Sequence, residues 1–233
     1  MNFELALKHA NKCYDVLAAG GVVIIPVYQG YGIFGASAEA VEKIFNAKRR
    51  GEHKLFTLLG NRALQSEIHL VTPVASRLID AITLDLDFAF GVVAQAQLGH
   101  SLIRRAPAAA LQRTVRDGKV NMLLNAGVLM EHLAVICIRE QLPVFGTSAN
   151  LSGRGLKGRV SDIEQVVRDA ANYTVDIGSL AGYSSTIVDV EAMTTVRFGY
   201  KYELVRRIAA NVCGIDLPDF PLNNDQEHSE LQT

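Results

Sequence analysis

The chain has 233 residues, of which 49% are hydrophobic and 20% charged, with a formal net charge of −1 at pH 7. These values fit one compact globular domain with a sizeable core better than two small ones. The near-zero charge gives no global attraction to nucleic acid, although local basic clusters can still form. No apolar run approaches the ~20 residues that a transmembrane helix needs, and the N-terminus is charged and amphipathic. We therefore expect a soluble, cytoplasmic protein without a membrane partner.

The cysteines and the end of the chain say little about chemistry. Cys13, Cys137 and Cys213 are scattered and odd in number, so neither a disulfide framework nor a CxxC metal site is indicated, and we expect buried, reduced thiols. The final stretch, NNDQEHSELQT, is acidic and polar, which favours disorder. We predict one domain over residues 1–205, followed over 206–233 by the end of a helix and a disordered acidic tail.

The first half of the chain alternates helical and strand patterns. Apolar residues recur at helical spacing from Ala6 to Leu17, and the β-branched run 22–25 predicts a buried strand closed by Pro26. A glycine-rich loop at 29–37 precedes a helix capped by Ser37. Residues 55–59 predict the next strand. Thr72 and Pro73 predict the start of a helix that reaches about residue 82.

The second half of the chain adds further strands and fewer helices. Short apolar runs predict strands at residues 88–93, 120–124, 173–177, 185–190 and 194–198, and residues 143–150 predict a strand that runs into a polar turn. Helical spacing runs from Val128 to about Glu140, and Ser161 with Glu164 predicts a capping box for a helix reaching residue 171. A last helix is predicted at 202–213. Helices that alternate with strands, and a chain that then continues in strands, predict a mixed twisted sheet covered by helices.

The run KRRGEHK at residues 48–54 concentrates positive charge between a predicted helix and a predicted strand. Arginine offers a planar fork for phosphate oxygens and lysine a point charge, so Lys48, Arg50 and Lys54 could hold a polyphosphate and offset charge that develops during nucleotidyl transfer. A solvated basic surface would produce the same run.

Two further segments could approach a ligand with their backbones or small side chains. In TSANLSG, residues 147–153, Thr147, Ser148 and Asn150 follow a buried strand, where open α/β sheets bind ligands. A turn stabilised by its own side chains is the alternative. In QGYGIFGAS, residues 29–37, three glycines permit close approach to an anion, but the segment matches neither GxGxxG nor a P-loop, and a tight strand-to-helix connection explains it equally well.

Taken together, these segments resemble the YrdC-like family. The resemblance covers about residues 10 to 205, and the joint match is more specific than its parts. It is carried by the Lys-x-Arg pair Lys48 and Arg50, the following Lys54, the Thr-Ser-Ala-Asn-x-Ser-Gly run at 147–153, Asp176-Ile177-Gly178, Ser185-Thr186-Ile187-Val188-Asp189 and Arg197-Phe198-Gly199.

That resemblance implies an α/β fold whose twisted mixed parallel and antiparallel sheet is flanked by helices and forms a basic concave cavity. It implies a nucleotidyltransferase that makes threonylcarbamoyl-AMP from threonine, bicarbonate and ATP, with Mg²⁺ entering on the ATP and no protein metal site, for the tRNA modification threonylcarbamoyladenosine. The implied catalytic residues are Lys48 and Arg50. The implied nucleotide-binding residues are Lys54, Thr147, Ser148, Asn150, Ser185 and Arg197, and the implied acceptor-binding residues are Tyr28, Tyr31 and Gly32.

The acceptor side departs from the family pattern. The family loop reads Pro-Thr-Glu/Asp-Thr-x-Tyr/Phe-Gly-Leu, whereas only Pro26, Tyr31 and Gly32 match here, and Val27 and Tyr28 replace the threonine and the acid. No Pro-Gly-Pro-x-Thr segment and no clear Arg-x-Pro segment is present. Two alternatives therefore stay open: a carbamoyl-adenylate-forming enzyme with another donor or acceptor, as in the HypF-type carbamoyltransferases, or a non-catalytic nucleotide- or RNA-binding module whose partner is tRNA or double-stranded RNA. The oligomeric state is not predicted.

Overall fold

The computed structural model describes residues 1–49, 51 and 54–220. The predicted phosphate-binding Arg50 and residues 221–233, which include the acidic stretch NNDQEHSELQT, lie outside the described residues. The described helices are α1 (Phe3–Ala18), α2 (Ala38–Ala47), α3 (Arg62–Ile68), α4 (Pro73–Asp80), α5 (Ser101–Arg104), α6 (Ala108–Gln112), α7 (Val128–Arg139), α8 (Gln165–Arg168) and α9 (Tyr202–Cys213). A π-helical turn, Ala81–Asp85, continues α4, and a 3-10 turn, Val160–Asp162, precedes α8.

The strands form a single mixed sheet. They are β1 (Val22–Val27), β2 (Gly30–Gly35), β3 (Thr57–Leu59), β4 (Phe90–Gln95), β5 (Val115–Arg116), β6 (Lys119–Leu124), β7 (Phe145–Ser148), β8 (Tyr173–Thr174), β9 (Thr186–Asp189) and β10 (Thr194–Arg197). Their order is β10-β9-β4-β6-β3-β7-β2-β1-β8, with β5 added beside β6. The pairs β1/β8, β3/β6 and β4/β9 are parallel and the other pairs are antiparallel. The predicted mixed α/β fold is confirmed.

The two faces of this sheet have different surroundings. Alternate residues of β6 show the division: Val120 and Met122 point into the main core, which α2, α4 and α9 complete. Lys119 and Asn121 point to the opposite face. There α1 and α7 cover only the part formed by β1 and its neighbours, with a second core cluster between them. The remainder of this second face stays open, and the cavity described below lies on it.

Local sequence signals explain the helices that were predicted correctly. In α1 the buried residues follow the predicted helical spacing. Ser37 caps α2 by accepting a bond from the Ala40 N–H at 3.1 Å, and Thr72 caps α4 by accepting one from Ala75 at 3.2 Å. Each cap satisfies a backbone donor that the first turn leaves unpaired. The bounds of α9 agree with the predicted 202–213.

The prediction of a glycine-rich loop at 29–37 is wrong, because Gly30–Gly35 forms the fully buried strand β2. The strand pairs with β1 across a tight turn at Tyr28 and Gln29, and Pro26 pairs with Tyr31 within the hairpin rather than ending β1. A Cβ on Gly32 would lie 2.6 Å from the ring of Phe34. The glycines therefore make room for close packing within a sheet, which is the other use of glycine in a strand.

The predicted capping box at Ser161 and Glu164 is also wrong. The hydroxyl of Ser161 bonds the adjacent Asp162, and the Glu164 carboxylate accepts a hydrogen bond from the Leu151 N–H at 3.0 Å. Ser161 thus bonds its neighbour and Glu164 bonds a distant turn instead of forming a cap, and α8 has only four residues. The short helices α3, α5 and α6 were not predicted because they are too short to show helical periodicity.

The chain remains attached to the domain beyond α9. Ile215 and Leu217 are buried in the main core. The Tyr202 hydroxyl donates to the Pro218 carbonyl at 2.5 Å, and Arg206 pairs with Asp219 at 3.2 Å. Residues 214–219 therefore pack against the domain.

The cysteines are free thiols in different surroundings. Burial raises the pKa of Cys13 and of Cys137 to about 12, so both stay protonated and unreactive near neutral pH. Cys213 is only partly buried, although all three cysteines were predicted to be buried.

Within the described part of the chain, no helix combines the length and the apolarity needed to cross a membrane.

The buried imidazole of His69 is expected to make folding stability depend on pH. His69 is 3% exposed, and burial lowers its pKa from 6.5 to about 4. Between these pH values the unfolded chain binds a proton that the folded chain does not, so the free energy of unfolding falls as the pH is lowered. The full loss is about 3 kcal/mol, at about 1.4 kcal/mol per pKa unit. Urea unfolding followed by circular dichroism checks this, and an equal pH dependence in His69→Gln would contradict it.

Candidate functional site

A cavity of about 940 Å³ occupies the open part of the second sheet face. Small-molecule and cofactor sites commonly measure about 300–1,000 Å³. Charged residues from several elements line it: Lys48, Lys54, Arg116, Lys119, Arg197, Asp117 and Asp189. Cations therefore outnumber carboxylates among the described lining residues, which suits an anionic ligand.

Lys48, the C-cap of α2, is the most deeply buried of these cations, with 0% exposure. Its ammonium donates to the Ser148 carbonyl, to the Asn150 carbonyl at 2.5 Å and to the Asn150 amide oxygen at 3.5 Å. In return, the Lys48 carbonyl accepts from the Ser152 N–H at 3.1 Å. These bonds tie the turn at residues 147–153 to the end of α2. Lys48 thus stands behind the turn and determines its shape.

The same turn is supported from its other side by Glu164. The Asn150 side chain donates to the Leu151 carbonyl at 2.6 Å, and the Leu151 N–H donates to Glu164, which also pairs with Lys157 at 3.4 Å. Burial alone would raise the pKa of Glu164, but the Leu151 N–H and Lys157 hold it below its usual value. Glu164 is therefore an anionic support of the turn, a role that the local sequence did not indicate.

Ser185 and Arg197 form the opposite wall, where β9 and β10 pair. Arg197 Nε donates to the Ser185 carbonyl at 2.8 Å. The residue is exposed because it faces the cavity, yet protein atoms crowd its guanidinium, and this desolvation lowers its pKa to about 10. Arg197 therefore remains cationic near neutral pH. Its orientation is suited to an anion in the cavity, because planar guanidinium groups bind phosphate and carboxylate oxygens in pairs.

The structure brings most of the residues predicted for the site to one cavity. Those that line it are Gly32, Lys48, Lys54, Thr147, Ser148, Asn150, Ser185 and Arg197. Arg50 lies outside the described residues. Tyr28 and Tyr31, which the resemblance assigns to acceptor binding, do not line this cavity.

The two tyrosines have structural partners elsewhere. Tyr31 is 0% exposed, and its hydroxyl donates to the Gly178 carbonyl at 2.8 Å and accepts from the Ile177 N–H at 3.1 Å. It thereby anchors the segment that the resemblance matches to Asp-Gly-Gly. Tyr28 adopts a positive φ of 53° at the hairpin tip, and its ring lies 6.3 Å from that of Tyr200.

The ion pairs of Lys119 in the cavity were not predicted from the sequence. Lys119 Nζ lies 2.7 Å from Asp189 Oδ2 and 3.3 Å from Glu191 Oε2. Burial alone would raise the pKa of Asp189, but hydrogen bonds from the Ala192 N–H and Lys119 outweigh it and hold the pKa below its usual value, so the carboxylate stays ionised. The alternation of polar Lys119 and Asn121 along β6 was the available signal, since side chains two apart share a strand face.

Another wall of the cavity is apolar. It consists of Val27, Phe34, Leu59, Leu123 and Met130. All of these residues except Leu123 belong to the second core cluster, and Leu123 packs against that cluster. The cavity therefore offers a cationic and hydroxyl-bearing surface together with a hydrophobic one. Among the described residues, no group of three or more His, Cys, Asp or Glu side chains is arranged to hold a metal ion.

Comparison with known proteins gives similarity in structure but not in sequence. No protein-family model matches the chain, and no curated protein matches its sequence. A hypothetical protein, smu.1377c, from Streptococcus mutans has a TM-score of 0.71 and 16% identity over 88% of this chain and 92% of its own. YciO from E. coli has a TM-score of 0.66 and 18% identity over 83% of this chain and 90% of its own.

A longer protein is similar as well. Sua5 from P. abyssi, solved in complex with L-threonine, has a TM-score of 0.67 and 15% identity over 94% of this chain. The present chain spans 60% of the length of that protein. Identities this low carry the fold and not the activity. The mixed sheet with its flanking helices matches in these structures, and the chain thus has the YrdC-like fold.

Proposed function

We propose that the chain binds ATP in this cavity and forms a carbamoyl adenylate from bicarbonate and an amino acid. The observation that carries the proposal is the turn at residues 147–153, which Lys48 holds against a cavity whose opposite wall contains Ser185 and Arg197. A turn of small hydroxyl and amide residues facing cations is suited to a nucleotide phosphate. The fold shared with Sua5 and YciO supports the same reading.

In this proposal the cations of the cavity hold the triphosphate. Lys54 and Arg197 provide charge, and Thr147 and Ser148 bring hydroxyl groups to the lining of the cavity. Pre-positioned cations stabilise the negative charge that develops on the leaving pyrophosphate, and positioning of the two reactants supplies much of the remaining rate. Mg²⁺ is proposed to enter with ATP, on the phosphate oxygens, as this ion usually does.

The proposed reaction is a condensation followed by adenylation. The amine of the amino acid attacks bicarbonate, releasing water and leaving a carbamate. A carbamate oxygen then attacks the α-phosphorus of ATP, and the bond to pyrophosphate breaks. Threonine is the acceptor that the sequence resemblance implies, and its adduct, threonylcarbamoyl-AMP, would serve the modification of tRNA.

The test is an assay of the purified protein with labelled ATP, Mg²⁺, bicarbonate and amino acids. We expect release of pyrophosphate and an AMP adduct that depends on both bicarbonate and the amino acid. Arg197→Met should weaken ATP binding about 10- to 100-fold, because a charge-assisted hydrogen bond contributes roughly 1.5–3 kcal/mol. Arg207→Met, which removes an exposed cation of α9, is the matched control and should leave ATP binding unchanged.

Two outcomes would contradict the proposal. If ATP binds but no pyrophosphate is released under any of these conditions, the protein is a nucleotide-binding module and not an enzyme. Equal ATP affinity in the wild type and in Arg197→Met would show that ATP does not contact Arg197.

A further inference from the structure

The segment that would contact the acceptor is apolar where it faces the cavity. Between Pro26 and Ile33, only Val27 and Gly32 line the cavity. A Cβ on Gly32 would lie 2.6 Å from the ring of Phe34 and 3.0 Å from Val27 Cγ1. The side chains of Val27 and Phe34 are therefore close together over this glycine, and they form one continuous hydrophobic surface.

A second glycine extends the same surface toward the proposed phosphate site. A Cβ on Gly146 would lie 2.0 Å from the Phe34 ring, so the ring rests directly on the β7 backbone, two residues before Ser148. Leu59 and Met130 belong to the same core cluster as Val27 and Phe34 and also line the cavity. None of these side chains can donate or accept an ordinary hydrogen bond.

A hydroxyl placed against this surface would lose its bonds to water without gaining new ones, whereas a methyl group would lose nothing. We propose, resting on the carbamoyl-adenylate function above, that the acceptor is an aliphatic amino acid of the valine, isoleucine and leucine class in preference to threonine. Its side chain packs on Val27 and Phe34. Its amino and carboxylate groups face the polar wall at residues 147–150.

The proposed reaction is unchanged by this choice of acceptor. The amine of the aliphatic amino acid and bicarbonate give a carbamate and water, and the carbamate displaces pyrophosphate from ATP to give an aliphatic carbamoyl adenylate. Atoms and charges balance as for threonine, because only the side chain differs. The preference is therefore a property of the subsite alone.

Valine and threonine provide the sharpest comparison, because they have the same shape and differ by a methyl group in place of a hydroxyl. We expect kcat/KM for adduct formation to be about 10- to 100-fold higher with valine than with threonine. This is the range over which a hydrophobic pocket discriminates against an isostere that adds a hydroxyl. Pyrophosphate release and mass spectrometry of the AMP adduct measure it in the wild-type protein.

A variant tests whether Val27 sets the preference. Val27→Thr restores the hydroxyl that the family pattern has at this position, and it should shift the ratio of the valine rate to the threonine rate toward threonine by at least about tenfold. Val135→Thr, at an exposed position of α7, makes the same chemical change outside the cavity and should leave the ratio as it is. ATP affinity, measured separately, should be the same in both variants.

The outcomes separate this inference from the function on which it rests. Threonine used as well as valine or better by the wild type would overturn the inference and leave carbamoyl-adenylate formation standing. A change of ATP affinity, and not of amino-acid preference, in Val27→Thr would also overturn it, because the apolar wall would then hold the adenine. Binding of ATP without any adduct from any amino acid would overturn both.

Discussion

Replacing Lys48 by methionine is expected to lower the free energy of unfolding by about 3 kcal/mol and to weaken ATP binding roughly 100-fold. The ammonium bonds the carbonyls of Ser148 and Asn150, and Lys48 is 0% exposed. Methionine keeps much of the volume but no donor. The buried Asn150 carbonyl then loses the bond from Lys48, at a cost of roughly 1–3 kcal/mol, and the Ser148 carbonyl keeps only the bond from the Asn150 N–H. ATP must then order the turn as it binds, and about 3 kcal/mol corresponds to roughly 100-fold in affinity.

Urea unfolding and a titration with ATP check the two parts of this prediction. Lys43→Met, at an exposed position of the same helix, removes the same charge and should change stability by no more than about 0.5 kcal/mol. If Lys48→Met were as stable as the wild type and lost only ATP affinity, Lys48 would act directly on phosphate, as the sequence resemblance implies. Unchanged affinity and stability would contradict both roles.

Replacing Gly199 by alanine should have an effect of similar size through close approach of the backbone. A Cβ at this position would lie 2.3 Å from the carbonyl carbon of Ser185 and 2.4 Å from the nitrogen of Thr186. Backbone atoms cannot change rotamer to make room as the end of a side chain can, so the start of β9 has to move. Overpacking of this kind costs roughly 1–3 kcal/mol. The shift also displaces the Ser185 carbonyl that orients Arg197.

We therefore expect Gly199→Ala to lower both the free energy of unfolding and the affinity for ATP. Gly99→Ala is the matched control, since a Cβ there meets no atom within 4 Å, and its effect should stay within about 0.5 kcal/mol. Thermal unfolding and ATP titration of the two variants make the comparison. Equal behaviour of the two would show that the glycine in Arg197-Phe198-Gly199 does not position the cavity wall.

Several elements could be predicted because their signals are local. The helices α1, α2 and α4 carry apolar residues at helical spacing or side-chain caps within three residues of their first turn, and the interactions behind those signals span a few positions. Strand β2 was misjudged because its Gly32 makes room for the ring of Phe34, which also packs on Gly146 of another strand. The capping box failed for the same reason, since Glu164 bonds Leu151 instead.

The candidate site could be predicted in its members but not in its arrangement. Lys48 and Ser148 were singled out from their residue types and positions, and Arg197 through the family resemblance, and all three line the cavity. That the Lys48 ammonium bonds backbone carbonyls across 100 and 102 residues of sequence was not predictable from either segment. Nor was the pair of Lys119 and Asp189, which lie 70 residues apart.

By itself the sequence determined the fold class, most of the longer helices and strands, and several of the residues that line the cavity, because periodicity, capping and short motifs are properties of neighbouring residues. Only the tertiary structure decided the strand order, the buried position of Lys48 and the apolar face beside Val27. These depend on pairings such as β3 with β6 and β7, between strands that lie far apart along the chain. Such pairings are selected by the packing of the whole core, and no local pattern specifies them.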